Sequence, residues 1–281
     1  MPGNRWDLLE PTPVDPQQAP HVSICIPTRN GGETLRRTLT MLALQTYPTD
    51  RLQVVVADDG SEPPLDLSAL GTPYELLVVR QEPDGFGAGR ARNLAASRAD
   101  GQMLVFLDAD VIPEPTVIDQ YVRWMSASNL AVPFGFSRFV DWPDVSDDVM
   151  AERLVGDTMD DVFPSDDVDS QEYREPYLAA THDLLDERLD LFRVFVAATF
   201  GVRADLYRAA GGFRELGVRG VEDIELGYRL ANQGALLVPV RTARHWHQGR
   251  RTMSGERMQE IRRARQPYVE RLLPVGGFRS G

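Results

Sequence analysis

The chain has 281 residues, 42% hydrophobic and 26% charged, the balance of a water-soluble globular protein with one large or two small domains. Its net charge of -12 excludes a general nucleic-acid binder, which needs a basic face. All 30 basic residues are Arg, so a Schiff-base lysine and a Walker-type phosphate loop are both excluded, and base chemistry falls to His or carboxylates.

No apolar run approaches the ~20 residues that span a bilayer, and no basic head precedes an apolar core as in an export signal. The single cysteine, Cys25, has no internal disulfide partner and sits in an apolar strand pattern. It reads as core filler in a reducing compartment, and the expected location is cytoplasmic.

Residues 1–20 carry five prolines and read as an extended arm, wrapped on the domain or loose. Strand character follows at 21–26, ending in the breaker cluster Pro27-Thr28-Arg29-Asn30-Gly31-Gly32. Helical spacing runs from Glu33 to Leu44 through Leu35, Leu39, Leu42 and Ala43. Further strands are predicted at 52–57, running into Asp58-Asp59-Gly60-Ser61, and at 74–79. A glycine-rich turn at 85–90 opens a helix from about Ala88 to Arg98. Arg90 stands where a dinucleotide-binding loop needs Gly or Ala, so the glycines instead let a loop pass close to a bound nucleotide.

The run Met103-Leu104-Val105-Phe106-Leu107 suits a strand buried on both faces, and Asp108-Ala109-Asp110 follows at once. In an extended chain the two carboxylates point the same way, and with no Lys to neutralise them they call for a cation. A hard divalent ion shared with substrate phosphates is the usual solution. Strands alternating with helices imply parallel pairing in a doubly wound sheet, which gathers these strand ends at one edge, where ligands sit.

Pro27-Thr28-Arg29-Asn30, Asp58-Asp59-Gly60-Ser61, Ala91-Arg92-Asn93 and Asp108-Ala109-Asp110 occur in that order, each at a strand end or helix start. In this the chain resembles a family 2 glycosyltransferase of the nucleotide-sugar-binding GT-A type. The resemblance implies an α/β fold with a mostly parallel central sheet flanked by helices. It implies that Asp59 accepts a hydrogen bond from the base of a nucleoside diphosphate, while Pro27 and Arg29 line base and ribose. Thr28, Asn30, Asp58 and Ala109 belong to the same nucleotide-binding set. Asp108 would contact the ribose or the metal, Asp110 would hold the metal against the diphosphate, and Arg92 would reach phosphate or ribose.

Beyond these motifs a helix is predicted near 116–126 and a strand of mixed direction around 130–139. Between Asp141 and Asp190 stand 17 Asp or Glu against three Arg. Such a block reads as a solvated or mobile face, or as an acceptor lobe that attracts a cationic substrate. Helical spacing recurs at 151–158 and 184–195, a strand at 195–203 and a helix at 204–210. The turn Gly211-Gly212-Phe213 then leads to Glu222-Asp223-Ile224-Glu225 at a helix N-terminus, where the dipole favours anions, with Ile224, Tyr228 and Leu230 as its buried contacts.

In the same family a Gly-Gly-Phe turn followed by Glu-Asp carries the catalytic base, most nearly in chondroitin-synthase-like and galactosyltransferase-like members. The resemblance therefore makes Asp223 the base and Glu222 an acceptor contact. The Trp that often precedes Glu-Asp is replaced by Arg219-Gly220-Val221, which leaves acceptor identity open. A His after the last core strand completes the metal site in similar enzymes. His247 fits that pattern, and His245, on the same face of an extended chain, remains an alternative. Arg250 and Arg251 are placed to reach the diphosphate.

The chain thus divides into an arm (1–20), a nucleotide-binding half (21–140), an acceptor and catalytic-base half (141–255) and an Arg-rich helical tail (256–281) able to serve as an oligomer or lid element. The expected activity is metal-dependent, inverting transfer, with Mn2+ or Mg2+, from a UDP-sugar or related donor to a hydroxyl or other nucleophile of an unidentified acceptor, for which the acidic block suggests a cationic type. Two alternatives differ in class: a non-catalytic nucleotide-sugar sensor on the same fold, and a haloacid-dehalogenase-like phosphatase, against which Ile112 and the missing lysine weigh.

Overall fold

The computed structural model describes residues 3–85, 87–140, 146–161, 163, 172, 174–186, 190–216 and 220–249, with isolated positions at 263, 266, 267, 270 and 271. Arg250, Arg251 and most of the predicted tail helix lie outside the described residues.

The described chain builds one eight-stranded sheet. Its strands are β1 (Val22–Thr28), β2 (Leu52–Asp58), β3 (Glu75–Arg80), β4 (Met103–Leu107), β5 (Val111–Pro113), β6 (Ala131–Val140), β7 (Thr199–Arg203) and β8 (Leu236–Gln248). Their order is β3-β2-β1-β4-β7-β6-β8-β5. The first four pair in parallel; β7 runs antiparallel to both β4 and β6, and β5 antiparallel to β8. The mixed direction expected around 130–139 is met: β6 is parallel to β8 and antiparallel to β7.

Alternation along the strands fills a core on each face. Ile24, Ile26, Val54, Val56 and Val105 pack under α1 (Gly32–Leu42) and α3 (Val117–Ala127). Cys25, Val55, Leu104 and Phe106 pack under α2 (Ala88–Ser97), α6 (Ala204–Ala209) and α7 (Glu222–Asn232). Covering both faces explains why β1, β2 and β4 read as continuous apolar runs. Burial drives the Cys25 thiol pKa far up, so the thiol is inert filler.

The second half departs from the sequence reading in several places. The strand predicted from Phe195 begins at Thr199, because Phe195 turns into the core and stacks edge-on against Phe200. The helix predicted over 184–195 is absent from the described part. Residues 182–184 instead take left-handed φ values of 49°, 55° and 67°, and only a 3-10 turn forms at Leu191–Val194. A helix unseen in the sequence, α5 (Glu175–Ala180), precedes them. In α7 the buried stripe is Leu226, Leu230 and Ala231, while Ile224 and Tyr228 are only partly covered.

The acidic block is not simply a solvated face. Its first helix, α4 (Asp147–Val155), is capped by Ser146, whose Oγ accepts from Val149 N. It buries Met150 and Leu154 in a small cluster with Met41, Ile112, Val140, Met159 and Trp246. Its acids face arginines: Asp147 pairs with Arg37, Asp157 with Arg244, Asp160 with Arg138 and Arg244, and Glu175 and Asp183 with Arg241.

The N-terminal arm is wrapped. Asn4 is buried, donates to Leu184 O and Leu237 O, and accepts from Leu237 N. Trp6 donates to Asp183 O and meets Trp124 edge-on. Among the described residues no helix is long and apolar enough to cross a membrane.

Candidate active site

Parallel pairing aligns Thr28, Asp58 and Arg80 across the C-terminal edge of β1, β2 and β3. Asp58 is a buried structural acid. Its carboxylate accepts from Ser61 N and from Arg80 Nη1, at 2.8 and 2.6 Å. Burial raises its pKa, but the hydrogen bonds from Ser61 and Arg80 outweigh it and hold the group below the usual carboxylate range. Asn30, at φ 56°, receives Glu62 N on its Oδ1, and its own N–H donates to Ser61 Oγ, so the first two motif loops are stitched together.

Asp59 is 5% exposed and accepts from Gln81 Nε2 at 2.7 Å and Arg90 Nη2 at 3.3 Å. A Cβ at Gly87 would lie 2.2 Å from Asp59 Oδ2, so only glycine lets this loop close against the acid. Arg29 is exposed and reaches Gly85 O at the same loop. Thr28 Oγ1 is buried and has no hydrogen-bond partner, beneath Gly31, where a Cβ would stand 2.3 Å away. Pro27 is buried within β1.

The Asp108-Ala109-Asp110 stretch does not continue the strand. β4 ends at Leu107, and Val111 N donates to Asp108 O in a turn. The premise that both carboxylates project alike from an extended chain therefore fails here, and each has a different partner. Asp108 Oδ1 accepts from Arg92 Nη2 at 2.6 Å. Asp110 Oδ1 lies 3.6 Å from His247 Nε2. That approach is built by the backbone, since Val111 pairs with His247 across β5 and β8 and Gln248 N donates to Asp110 O. Ala109 is partly buried, and its carbonyl accepts from Thr38 Oγ1.

The two histidines are separated by their surroundings. His245 is buried, its Nε2 2.5 Å from Ser137 Oγ. Burial, with the nearby Arg174 charge, pushes its pKa down to about 3. His247 stacks on Phe139 at 4.7 Å and faces Asp110.

Arg92, expected from the sequence as a phosphate or ribose contact, is a buried cation held between acids. It is 5% exposed, and besides Asp108 its Nη1 lies 3.6 Å from Glu222 Oε1. Its guanidinium carbon stands 5.2 Å over the Phe213 ring. Burial lowers its pKa, yet Asp108, Glu222 and Asp223 together raise it, so Asp223 belongs to the same electrostatic cluster. Glu222 Oε2 is buried without a hydrogen-bond partner. Asp223 is half-buried at the start of α7, and its Oδ1 accepts from Ile224 N. Asp108 and Glu222, 114 positions apart by the numbering, meet on one guanidinium.

Sequence reasoning missed the residues that hold this cluster. Asn93 Nδ2 donates to Phe213 O, and its Oδ1 accepts from Phe213 N and Tyr207 Oη. Glu225 and Arg229 pair within α7, and Arg229 donates to Ala210 O and Gly212 O. Gln81 and Arg90 on Asp59 were also missed. Only the Ala-Arg-Asn and Gly-Gly-Phe patterns hinted at these contacts.

A protein-family description, "Glycosyl transferase family 2", matches residues 23–165, half of the chain. The chain belongs to glycosyl transferase family 2. It is 28% identical over 280 residues to a hyaluronan synthase of Pasteurella multocida, covering 90% of this chain and 28% of that protein. It is 30% identical over 244 residues to validoxylamine A glucosyltransferase of Streptomyces hygroscopicus subsp. limoneus, covering 80% of this chain and 51% of the relative. The family 2 chain thus spans about a quarter to a half of these relatives.

Among solved structures it resembles a mannosyltransferase from Pyrobaculum calidifontis in complex with GDP-Man and Mn2+. That match has a TM-score of 0.59 at 18% identity and covers 95% of this chain and 69% of that one. It also resembles S. aureus TarS 1-349 in complex with UDP-GlcNAc, with a TM-score of 0.58 at 16% identity, covering 89% and 66%. The fold is of the GT-A type. The family match displaces the dehalogenase-like phosphatase reading.

Proposed function

We propose that this chain transfers a sugar from a nucleoside diphosphate sugar, a UDP-sugar first among candidates, to an acceptor hydroxyl, with inversion and with Asp223 as general base. One observation carries the reading: Arg92 ties Asp108, just after β4, to Glu222 at the start of α7 and feels the charge of Asp223 beside it, so carboxylates from both halves share one centre. The similar structures bound to UDP-GlcNAc and GDP-Man support the donor class.

Asp59, held against Gly87 and Gln81, is the residue assigned to read the base. Thr28 Oγ1, beneath Gly31, is buried and without a hydrogen-bond partner. Arg29 stands exposed beside the same loop, at Gly85. Asp223, half-buried, is positioned at a helix start to take the acceptor proton during in-line attack, and the neighbouring Glu222 oxygen can receive an acceptor hydrogen bond.

A divalent ion fits at Asp110 and His247, whose carboxylate and imidazole face each other across 3.6 Å. Among the described residues no group of three or more His, Cys, Asp or Glu could hold a metal ion. Substrate phosphates would have to supply the remaining ligands of a hard ion there. Such an ion supplies charge stabilisation of the departing diphosphate.

The test begins with a thermal-shift screen of nucleoside diphosphates and their sugars, with and without Mn2+, followed by assay of UDP release. Wild type is expected to release UDP only with Mn2+ or Mg2+. Asp223→Asn is expected to lower the rate by about 10²–10⁴-fold while keeping nucleotide binding. Undiminished transfer by that variant removes the base assignment. Binding without any turnover favours the sensor.

A further inference from the structure

We infer that Asn93 is a positioning residue for the reaction: its side chain fastens the Gly211-Gly212-Phe213 turn, and through that turn it sets where α7 presents Asp223. The inference rests on the reading of Asp223 as base.

Asn93 makes three hydrogen bonds through its amide, two to this turn and one to Tyr207, which supports it. Nδ2 donates to Phe213 O at 2.8 Å, and Oδ1 accepts from Phe213 N at 2.8 Å and from Tyr207 Oη at 2.7 Å. The turn is made for the contact. Gly211 and Gly212 take φ values of 78° and 65°, and a Cβ at Gly212 would stand 2.6 Å from Asn93 Oδ1. On its other side the turn is held by α7 itself, through Arg229 to Gly212 O at 2.7 Å, with Arg229 fixed by Glu225.

The Phe213 ring closes the wedge, packed edge-on against Phe106 and beneath the Arg92 guanidinium. Gly89, one turn before Asn93 on α2, lets the helix approach closely: a Cβ there would lie 3.3 Å from Phe213 Cβ and 3.7 Å from Glu222 Cβ. One helix of the donor half therefore grips both the turn and the start of α7. A misplacement of about 1 Å at a reacting group costs about 100-fold in rate.

Three variants separate positioning from plain stability. Asn93→Ala removes all three hydrogen bonds. Asn93→Asp keeps both bonds accepted at Oδ1 and loses the bond to Phe213 O, and serves if the alanine variant fails to fold. Tyr207→Phe removes one buried hydrogen bond at the same amide and leaves both Asn93–Phe213 bonds in place. UDP release from UDP-GlcNAc with Mn2+, UDP affinity with Mn2+, and amide exchange over Phe213 and 222–226 are measured below each variant's melting temperature.

Both Asn93 variants are expected to lose turnover, the alanine by about 100-fold, with UDP affinity within about twofold and faster exchange at the start of α7. Tyr207→Phe is expected to melt earlier but turn over normally. Equal loss in Tyr207→Phe, loss of UDP affinity in step with rate, or unchanged exchange at α7 in the Asn93 variants each overturns the inference. A wild type that turns over no nucleotide sugar overturns the proposed function instead, and amide exchange then decides the joint by itself.

Discussion

Single residues in this protein are chosen for what they let others do. Gly87 touches no substrate in the proposed reaction, but any larger residue meets the Asp59 carboxylate. Gly87→Ala is expected to weaken UDP binding at least tenfold, read by calorimetry, while the melting temperature moves little because the loop lies outside both cores. Asp58 illustrates the opposite case, a motif acid used for structure. Its folded pKa is depressed, so it contributes stability that is present above the unfolded value near 3.8 and lost as pH falls through the folded value. Asp58→Asn is expected to destabilise the protein at neutral pH and to flatten the loss of stability below about pH 4, measured by urea unfolding across pH.

Elements are joined by buried charge where the sequence displays only acidity. Glu172 and Arg174, from the acidic block, are both nearly enclosed and pair at 2.7 Å. Glu172 Oε2 also accepts from Ser137 N on β6, and Arg174 donates to Gly135 O and stacks near Phe134 and Phe136. Burial raises the Glu172 pKa, but the hydrogen bonds and charge of Arg174 outweigh it and keep the carboxylate ionised. Removing one partner strands a buried charge, so Arg174→Ala is expected to cost about 3–5 kcal/mol. Replacing both residues by Leu and Met is expected to recover a large part of that loss. Chemical denaturation of the three variants reads the difference.

At the scale of the whole molecule, the arm and the acidic block brace the sheet from outside. Asn4 hydrogen-bonds Leu237 on β8 and Leu184 in the left-handed turn at once. Asn4→Ala leaves a buried Leu237 N–H unpaired and is expected to cost about 1–3 kcal/mol. It should also open the 182–186 turn to protease, an outcome that limited proteolysis followed by mass mapping reads directly. The ion pairs of Arg244 and Arg241 on exposed acids contribute far less, because water and salt screen them.

Three of the four motifs of the first half were legible because each follows an apolar strand run, at Pro27, Asp58 and Asp108, while Ala91-Arg92-Asn93 lies in the helix that the glycine-rich turn opens. The parallel sheet and its converging edge follow from the alternation of strand and helix, and the structure bears out both. Locally encoded turns such as Gly211-Gly212 were visible for the same reason, since glycine marks the left-handed backbone that they adopt.

What periodicity could not carry was long-range pairing. No pattern in the sequence says that Arg92 will sit between Asp108 and Glu222, or that Asp110 will meet His247 through the β5–β8 ladder. Nor does it say that a run of acids will find its arginines on distant strands. Those choices depend on which surfaces the fold brings together and desolvates. A charge becomes a partner only when its neighbour in space is fixed, and that neighbour lies far away along the chain.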